Sequence, residues 1–266
     1  MYGEPDPLYV RARSALLDTA DTLEKHMDAL ILVGAQAVYL RTGNSDLAVA
    51  EYTTDADFAI GPRDLADEPL LGDLLLADGF TLRRNPGAWL NPDGIAIDFM
   101  VPEAMAGPGS RAARLGVHGK TVARRAKGLE GALIDRDRIR IGALDPADDR
   151  SIDMWVAGPA ALLVAKVVKI DERVGGIRSS DKDALDVLRL LRGVATETLA
   201  KRLDTLRRHD LSRDVSNEAI DLLRPLFGTS NAEGVAMILR AGGATVDPEI
   251  LSLSTTILVN DLLKQL

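Results

Sequence analysis

Leu32-Val-Gly-Ala-Gln-Ala-Val-Tyr-Leu40, followed by Thr53-Thr-Asp-Ala-Asp-Phe-Ala-Ile60 and later by Ile95-Ala-Ile-Asp-Phe-Met100, decides how this chain is read. A glycine turn comes first, then two carboxylates spaced i, i+2, then a third carboxylate inside an apolar run. Side chains alternate between the faces of a strand, so Asp55 and Asp57 share a face of any strand that carries them. If residues 95–101 form the neighbouring strand, Asp98 joins them. Three carboxylates meeting at one spot repel one another unless a cation lies between them, and hard oxygen ligands select Mg²⁺ or Mn²⁺. Beside a glycine turn able to cradle phosphate, that set is the equipment for metal-assisted nucleotidyl transfer.

The chain has 266 residues, enough for one large domain or two smaller ones. It contains no cysteine, which excludes disulfides and thiolate zinc sites and suits a reducing interior. His26, His118 and His209 are scattered singly, which argues against histidine metal centres and Ser-His-Asp chemistry. The polar, acidic start Met-Tyr-Gly-Glu-Pro-Asp-Pro does not read as a signal peptide. No apolar stretch approaches the roughly 20 residues a bilayer span needs. A cytoplasmic protein with no membrane partner is expected. The net charge of −8 argues against a general nucleic-acid-binding coat. Between Arg111 and Arg140, however, nine Lys/Arg stand against three Asp/Glu. That stretch has two readings, a phosphate-contacting surface or a solvated hairpin face of alternating charge.

Helical spacing of apolar residues marks 8–29 as an amphipathic helix. Leu30–Val33 reads as a short buried strand ending at Gly34, with a helix opening over Ala35–Arg41. Thr42–Tyr52 reads as a loop, and Phe58–Ile60 completes the strand carrying Asp55 and Asp57. Leu65–Asp78 is expected to be a helix closed by Gly79, ahead of short strands near Thr81–Arg84, Ala88–Leu90 and Ile95–Val101. Val117–Leu133 is expected to be a strand or hairpin, and Arg138–Ile141 and Ile152–Val156 further strands. From Gly158-Pro159 the pattern becomes helical: 158–172, 181–193, 195–209, 216–226, 232–241 and 247–265. The expected class is α/β in the α+β sense, a mixed sheet followed by a helical bundle.

The ordered set Gly34-Ala-x-Ala-x-x-Leu, Thr53-x-Asp-x-Asp-Phe, Asp98-Phe, Lys166-Val-Val-Lys169 and Lys182-Asp-Ala-Leu-Asp186 resembles the polymerase-β-type nucleotidyltransferase superfamily. Within it, residues 28–195 are most similar to the AbiEii/MenT-like nucleotidyltransferase toxins of type IV toxin–antitoxin pairs. The change of pattern near Pro159 divides the chain into an expected catalytic domain over 1–157 and an expected helical substrate-binding domain over 158–266. The resemblance implies that Asp55, Asp57 and Asp98 hold Mg²⁺ or Mn²⁺, with Asp98 serving the cation that activates the attacking hydroxyl. The amides of Gly34 and Ala35, at a helix N-terminus, would bind the triphosphate of an NTP substrate, with Thr54 beside them. Lys166 would contact the triphosphate and Asp183 would orient that lysine, with Lys169 as substitute and Asp181 as an alternative register. Arg173 and Arg178, flanking Val-Gly-Gly-Ile, belong to a loop that could close over phosphate. The resemblance also implies tRNA as acceptor and a cognate antitoxin as protein partner.

Two features depart from the family pattern. Ala35 stands where a second glycine or a serine is usual, which keeps the amides but removes a hydroxyl. Glu51-Tyr52 stand where an arginine often precedes the threonine, leaving Arg41 as a replacement. Each residue also has a plainer reading: Asp98 as an outward strand residue, Tyr39 as core rather than nucleotide pocket, and Lys166–Asp183 as an inter-helix ion pair. Two other functions fit the same residues. One is a nucleotidyltransferase acting on a small, aminoglycoside-type acceptor, whose cationic substrate favours an acidic cleft. The other is a catalytically silent fold used for regulation.

Overall fold

A computed structural model of the chain describes residues 5–43, 51–173, 181–242 and 247–266. The class is α+β: a mixed parallel and antiparallel sheet, followed by a C-terminal helical region. Two compact units are present, and the division is not a single cut. The first takes the described residues of Met1–Ala37, Ala50–Ala126 and Arg136–Ala157, and the second those of Val38–Val49, Lys127–Asp135 and Gly158–Leu266.

In the first unit, α1 (Pro7–Thr22) opens with Pro7 at its first position and Asp6 as cap, the Asp6 carboxylate accepting from Leu8 N at 2.8 Å. Its buried face carries Tyr9, Ala12, Leu16 and Ala20, and it packs on the sheet. The expected helix to residue 29 stops early. A 3-10 turn over Glu24–His26 follows, and His26 Nε2 is bonded to Pro69 O at 2.7 Å, which holds the chain in a turn before the sheet begins.

β1 (Leu30–Val33) is buried at all four positions because it lies inside the sheet. α2 (Gly34–Thr42) follows without a linker, then β2 (Asp55–Ile60). α3 (Leu71–Ala77) is shorter than the expected Leu65–Asp78. Pro69 supplies no N–H and disfavours helix in the residue before it, so the helix begins after it. β3 (Thr81–Leu82), β4 (Ala88–Leu90) and β5 (Ala96–Pro102) come next.

The expected strand or hairpin over Val117–Leu133 is corrected. A 3-10 turn spans Gly116–His118, β6 is only Arg124–Ala126, and another 3-10 turn spans Glu130–Leu133. The turn at His118 is needed because its ring faces inward, accepting from Leu71 N at 3.1 Å and bonding Ala66 O at 2.8 Å. β7 (Arg136–Gly142) and β8 (Ser151–Ala157) form an antiparallel pair. The strand order is β3-β4-β5-β2-β1-β8-β7, with β6 added beside β5. β1 runs antiparallel to β2 and parallel to β8, and β2 runs parallel to β5.

The second unit contains the C-terminal part of α2 and α4 (Pro159–Asp171), α5 (Asp181–Gly193), α6 (Thr196–Arg208), α7 (Arg213–Phe227), α8 (Glu233–Gly242) and α9 (Pro248–Lys264). Segment 127–135 belongs here because of Asp135. Its buried Oδ2 accepts from Ala160 N and Ala161 N, both at 3.0 Å, satisfying the first amides of α4, while Oδ1 meets Arg202 of α6. α4 is almost wholly apolar and packs against α5, α6 and α7. Among the described residues, no helix is long and apolar enough to cross a membrane.

Candidate functional site

The parallel register of β2 and β5 sets Asp57 directly beside Asp98, and Asp55 beside Ala96. Alternation then sorts the faces. Ala56, Phe58, Ile97 and Phe99 are buried on one side, where the Phe58 and Phe99 rings stack at 5.5 Å. Asp55, Asp57 and Asp98 are half-buried on the other. Asp98 therefore shares its face with both other carboxylates.

Gly34 is tied to Asp57. Val33, which precedes it, is paired with Asp57 across β1 and β2, and Gly34 has φ +72°. A Cβ at position 34 would collide with Asp57 Oδ2 and stand 2.8 Å from Asp57 Cβ. The turn is thus built against that carboxylate, and only glycine fits it without strain. Asp55 is held from two directions. Thr53 Oγ1 donates to Asp55 Oδ1 at 2.6 Å, and Gln36 Nε2 donates to Asp55 O and to Ala12 O, both at 3.0 Å. Thr54 is exposed.

Gln36 is fixed in turn by Arg13, whose Nε donates to Gln36 Oε1 at 2.9 Å. The other guanidinium nitrogens of Arg13 reach Tyr9 Oη at 2.8 Å and Gly142 O at 3.0 Å. Sequence reasoning missed this support. Its one signal was an arginine on the apolar face of α1.

Asp98 has a cationic neighbour, Arg124 of β6, whose Nη2 lies 3.4 Å from Asp98 Oδ2. Among the described residues no three His, Asp or Glu side chains are gathered closely enough to enclose a metal ion. Mg²⁺ commonly takes one or two carboxylates and completes its shell with water and substrate phosphates. An in-register pair of hard oxygen donors beside a turn with no Cβ fits that requirement.

The helical unit carries a separate ionic cluster. Lys166 Nζ donates to Asp183 Oδ1 at 2.8 Å and to Asp186 Oδ2 at 2.7 Å, and these side chains are only 7%, 8% and 4% exposed. Burial alone would lower the Lys166 pKa, but the charges of Asp186 and Asp183 raise it above the ordinary lysine value. Burial would likewise raise Asp183, but Lys166 and Lys169 hold it down to about 2. Asp183 also meets Lys169 at 3.0 Å and Arg173 at 3.6 Å, and Asp186 meets Arg189 at 3.4 Å. Arg189 lies over the ring of Tyr39, a buried tyrosine packed inside this unit. Asp181 pairs instead with Arg240 at 2.9 Å, so Asp183 is the partner of Lys166. Lys166 is enclosed between two carboxylates, and Lys169, 41% exposed, is the more accessible lysine. Arg41 belongs to this unit. Arg178 and the Val174–Ile177 loop lie outside the described residues.

The basic stretch is largely neutralised by acids. Arg124 pairs with Asp98, Arg125 with Glu103, Lys127 with Glu218, Arg136 with Asp64, Arg138 with Asp28 and Arg140 with Asp153. Among the described residues no ion pair engages Arg111, Arg114 or Lys120, and all three are exposed. Comparison with protein-family models, with curated proteins and with solved structures finds no match to this chain.

Proposed function

We propose that the chain is a Mg²⁺-dependent nucleotidyltransferase that moves a nucleoside monophosphate from an NTP to a hydroxyl acceptor. The observation that supports this reading most directly is the in-register Asp57–Asp98 pair held against the Gly34 turn. Asp57 and Asp98 would hold the divalent cation, which would supply Lewis-acid stabilisation of phosphate charge, and Asp55 lies on the same face of the sheet. In this reading Gly34 and Ala35 offer backbone N–H groups to the polyphosphate at the start of α2. The acceptor oxygen bonds to the α-phosphorus, the bond to the bridging oxygen breaks, pyrophosphate leaves, and the hydroxyl proton passes to Asp98. Gln36 and Arg13 keep the Asp55 strand in place. In the helical unit, Lys169 has the exposure to meet an anion, and Lys166 serves as the buried scaffold of its cluster.

The resemblance of the motifs, not the surface, is what points to tRNA as acceptor and to a toxin with a cognate antitoxin in the cytoplasm. Six of the nine basic side chains in 111–140 face acids, which favours keeping a small-molecule acceptor as the second reading. Incubation with α-labelled NTPs, Mg²⁺ and total tRNA separates the two. Label in RNA, lost in Asp57→Asn, supports the tRNA version. Label confined to a small molecule supports the second reading, and no Asp57-dependent transfer to any acceptor overturns both.

A further inference from the structure

Arg124 reaches the carboxylate face by a specific route. β6 runs parallel to β5 with Arg124 opposite Met100, two residues beyond Asp98 and therefore on the same face. Gly87 (φ +75°) lets the chain approach so closely: a Cβ there would meet the backbone N of Arg124. The next residue, Arg125, turns to the other face and pairs with Glu103.

The hold of Arg124 on Asp98 is loose. One nitrogen, Nη2, lies 3.4 Å from one oxygen, and the two side chains are 36% and 34% exposed. A firmly bound guanidinium makes two parallel, shorter bonds to a carboxylate. The second contact of Nη2 is the thioether of Met100 at 2.8 Å, not another acid. Two carboxylates side by side favour a nearby positive charge, and Arg124 supplies one at Asp98.

We propose that Arg124 is a displaceable counter-cation of Asp98, the carboxylate in register with Asp57. Its guanidinium neutralises Asp98 until a divalent cation arrives, then yields that carboxylate to it. This rests on the metal-binding part of the proposed function. Any cation that must be displaced weakens the one that replaces it, so Arg124 sets the concentration at which the site fills. An exposed ion pair of this kind corresponds to about a two- to fivefold change in an equilibrium constant.

The test is a Mn²⁺ titration of the full chain, followed by electron paramagnetic resonance, on wild type, Arg124→Gln, Arg124→Lys and Asp98→Asn. Arg124→Gln should bind Mn²⁺ about two- to fivefold more tightly, Arg124→Lys about as wild type, and Asp98→Asn more weakly. Should Arg124→Gln fail to fold, the guanidinium resonance of Arg124 in wild type, followed by NMR through a Mg²⁺ titration, gives the same answer by moving at saturation. Asp98-dependent Mn²⁺ binding that is no tighter in Arg124→Gln, or a resonance that stays put, overturns the role of Arg124 alone. Binding that ignores Asp98→Asn overturns the metal reading and this inference together. Absence of nucleotide transfer despite tighter Mn²⁺ binding in Arg124→Gln removes the proposed reaction and leaves Arg124 in its role.

Discussion

Replacing Gly34 with alanine asks a Cβ to occupy space held by Asp57 Oδ2, at a φ that side chains rarely adopt. Gly34→Ala should destabilise the protein by on the order of 2–4 kcal/mol, the sum of backbone strain and overpacking. Urea unfolding measures it, and a loss under 0.5 kcal/mol would show that the turn relaxes freely. Asp57→Asn is expected to behave differently. It removes one of two neighbouring like charges, so its melting temperature should equal or exceed that of wild type while transfer disappears. A melting temperature well below wild type would mark Asp57 as a structural residue. Lys166 shows the opposite balance. Lys166→Met leaves Asp183 and Asp186 buried with one cation fewer, and a loss of roughly 3–5 kcal/mol is expected. Lys169→Met, at an exposed position, should cost about 1 kcal/mol or less. Equal losses for the two lysines would contradict the assignment of scaffold to one and accessible cation to the other.

The regular elements differ in how much of each was legible. Hydrophobic alternation over 55–60 and 95–101 marks two strands, and the shared face of Asp55 and Asp57 follows from a period of two. The last six helices are legible from apolar periodicity, and the first of them from its Pro159 start. The start of α4 was only half legible, because its cap is not local. Asp135, 25 residues before Ala160, supplies the acceptor. Asp135→Ala should therefore cost about 1–3 kcal/mol, combining a lost helix cap with the lost ion pair to Arg202. Hydrogen exchange should localise the loss to the first turn of α4. Uniform loosening of every helix in the unit would argue against a capping role. Val117–Leu133 was misread for a related reason: His118 bonds residues about 50 positions away, which no local pattern records.

Acid sensitivity belongs to the whole molecule, with one contribution from each unit. His26 is buried, and burial, opposed by its bond to Pro69 O, lowers its pKa from 6.5. The unfolded chain therefore takes up that proton first. The contribution is full above pH 6.5 and is lost as pH falls from there toward the lowered folded value. Asp183 contributes stability that is full above pH 3.8 and disappears as pH falls toward about 2. Equilibrium unfolding against pH should show both losses. His26→Gln should flatten the first and leave the second, and an unchanged slope below pH 6.5 in that variant would remove His26 as its source. By itself the sequence determined most of the strands and helices, the glycine turn, and the face shared by Asp55 and Asp57, because each follows from residue types at short spacing. Only the tertiary structure decided that Asp98 stands beside Asp57, that Arg124 meets it, that Gln36 and Arg13 brace Asp55, and that Lys166 is enclosed by two carboxylates. Those outcomes depend on strand register and helix packing between distant segments, and spacing along the chain carries no record of them.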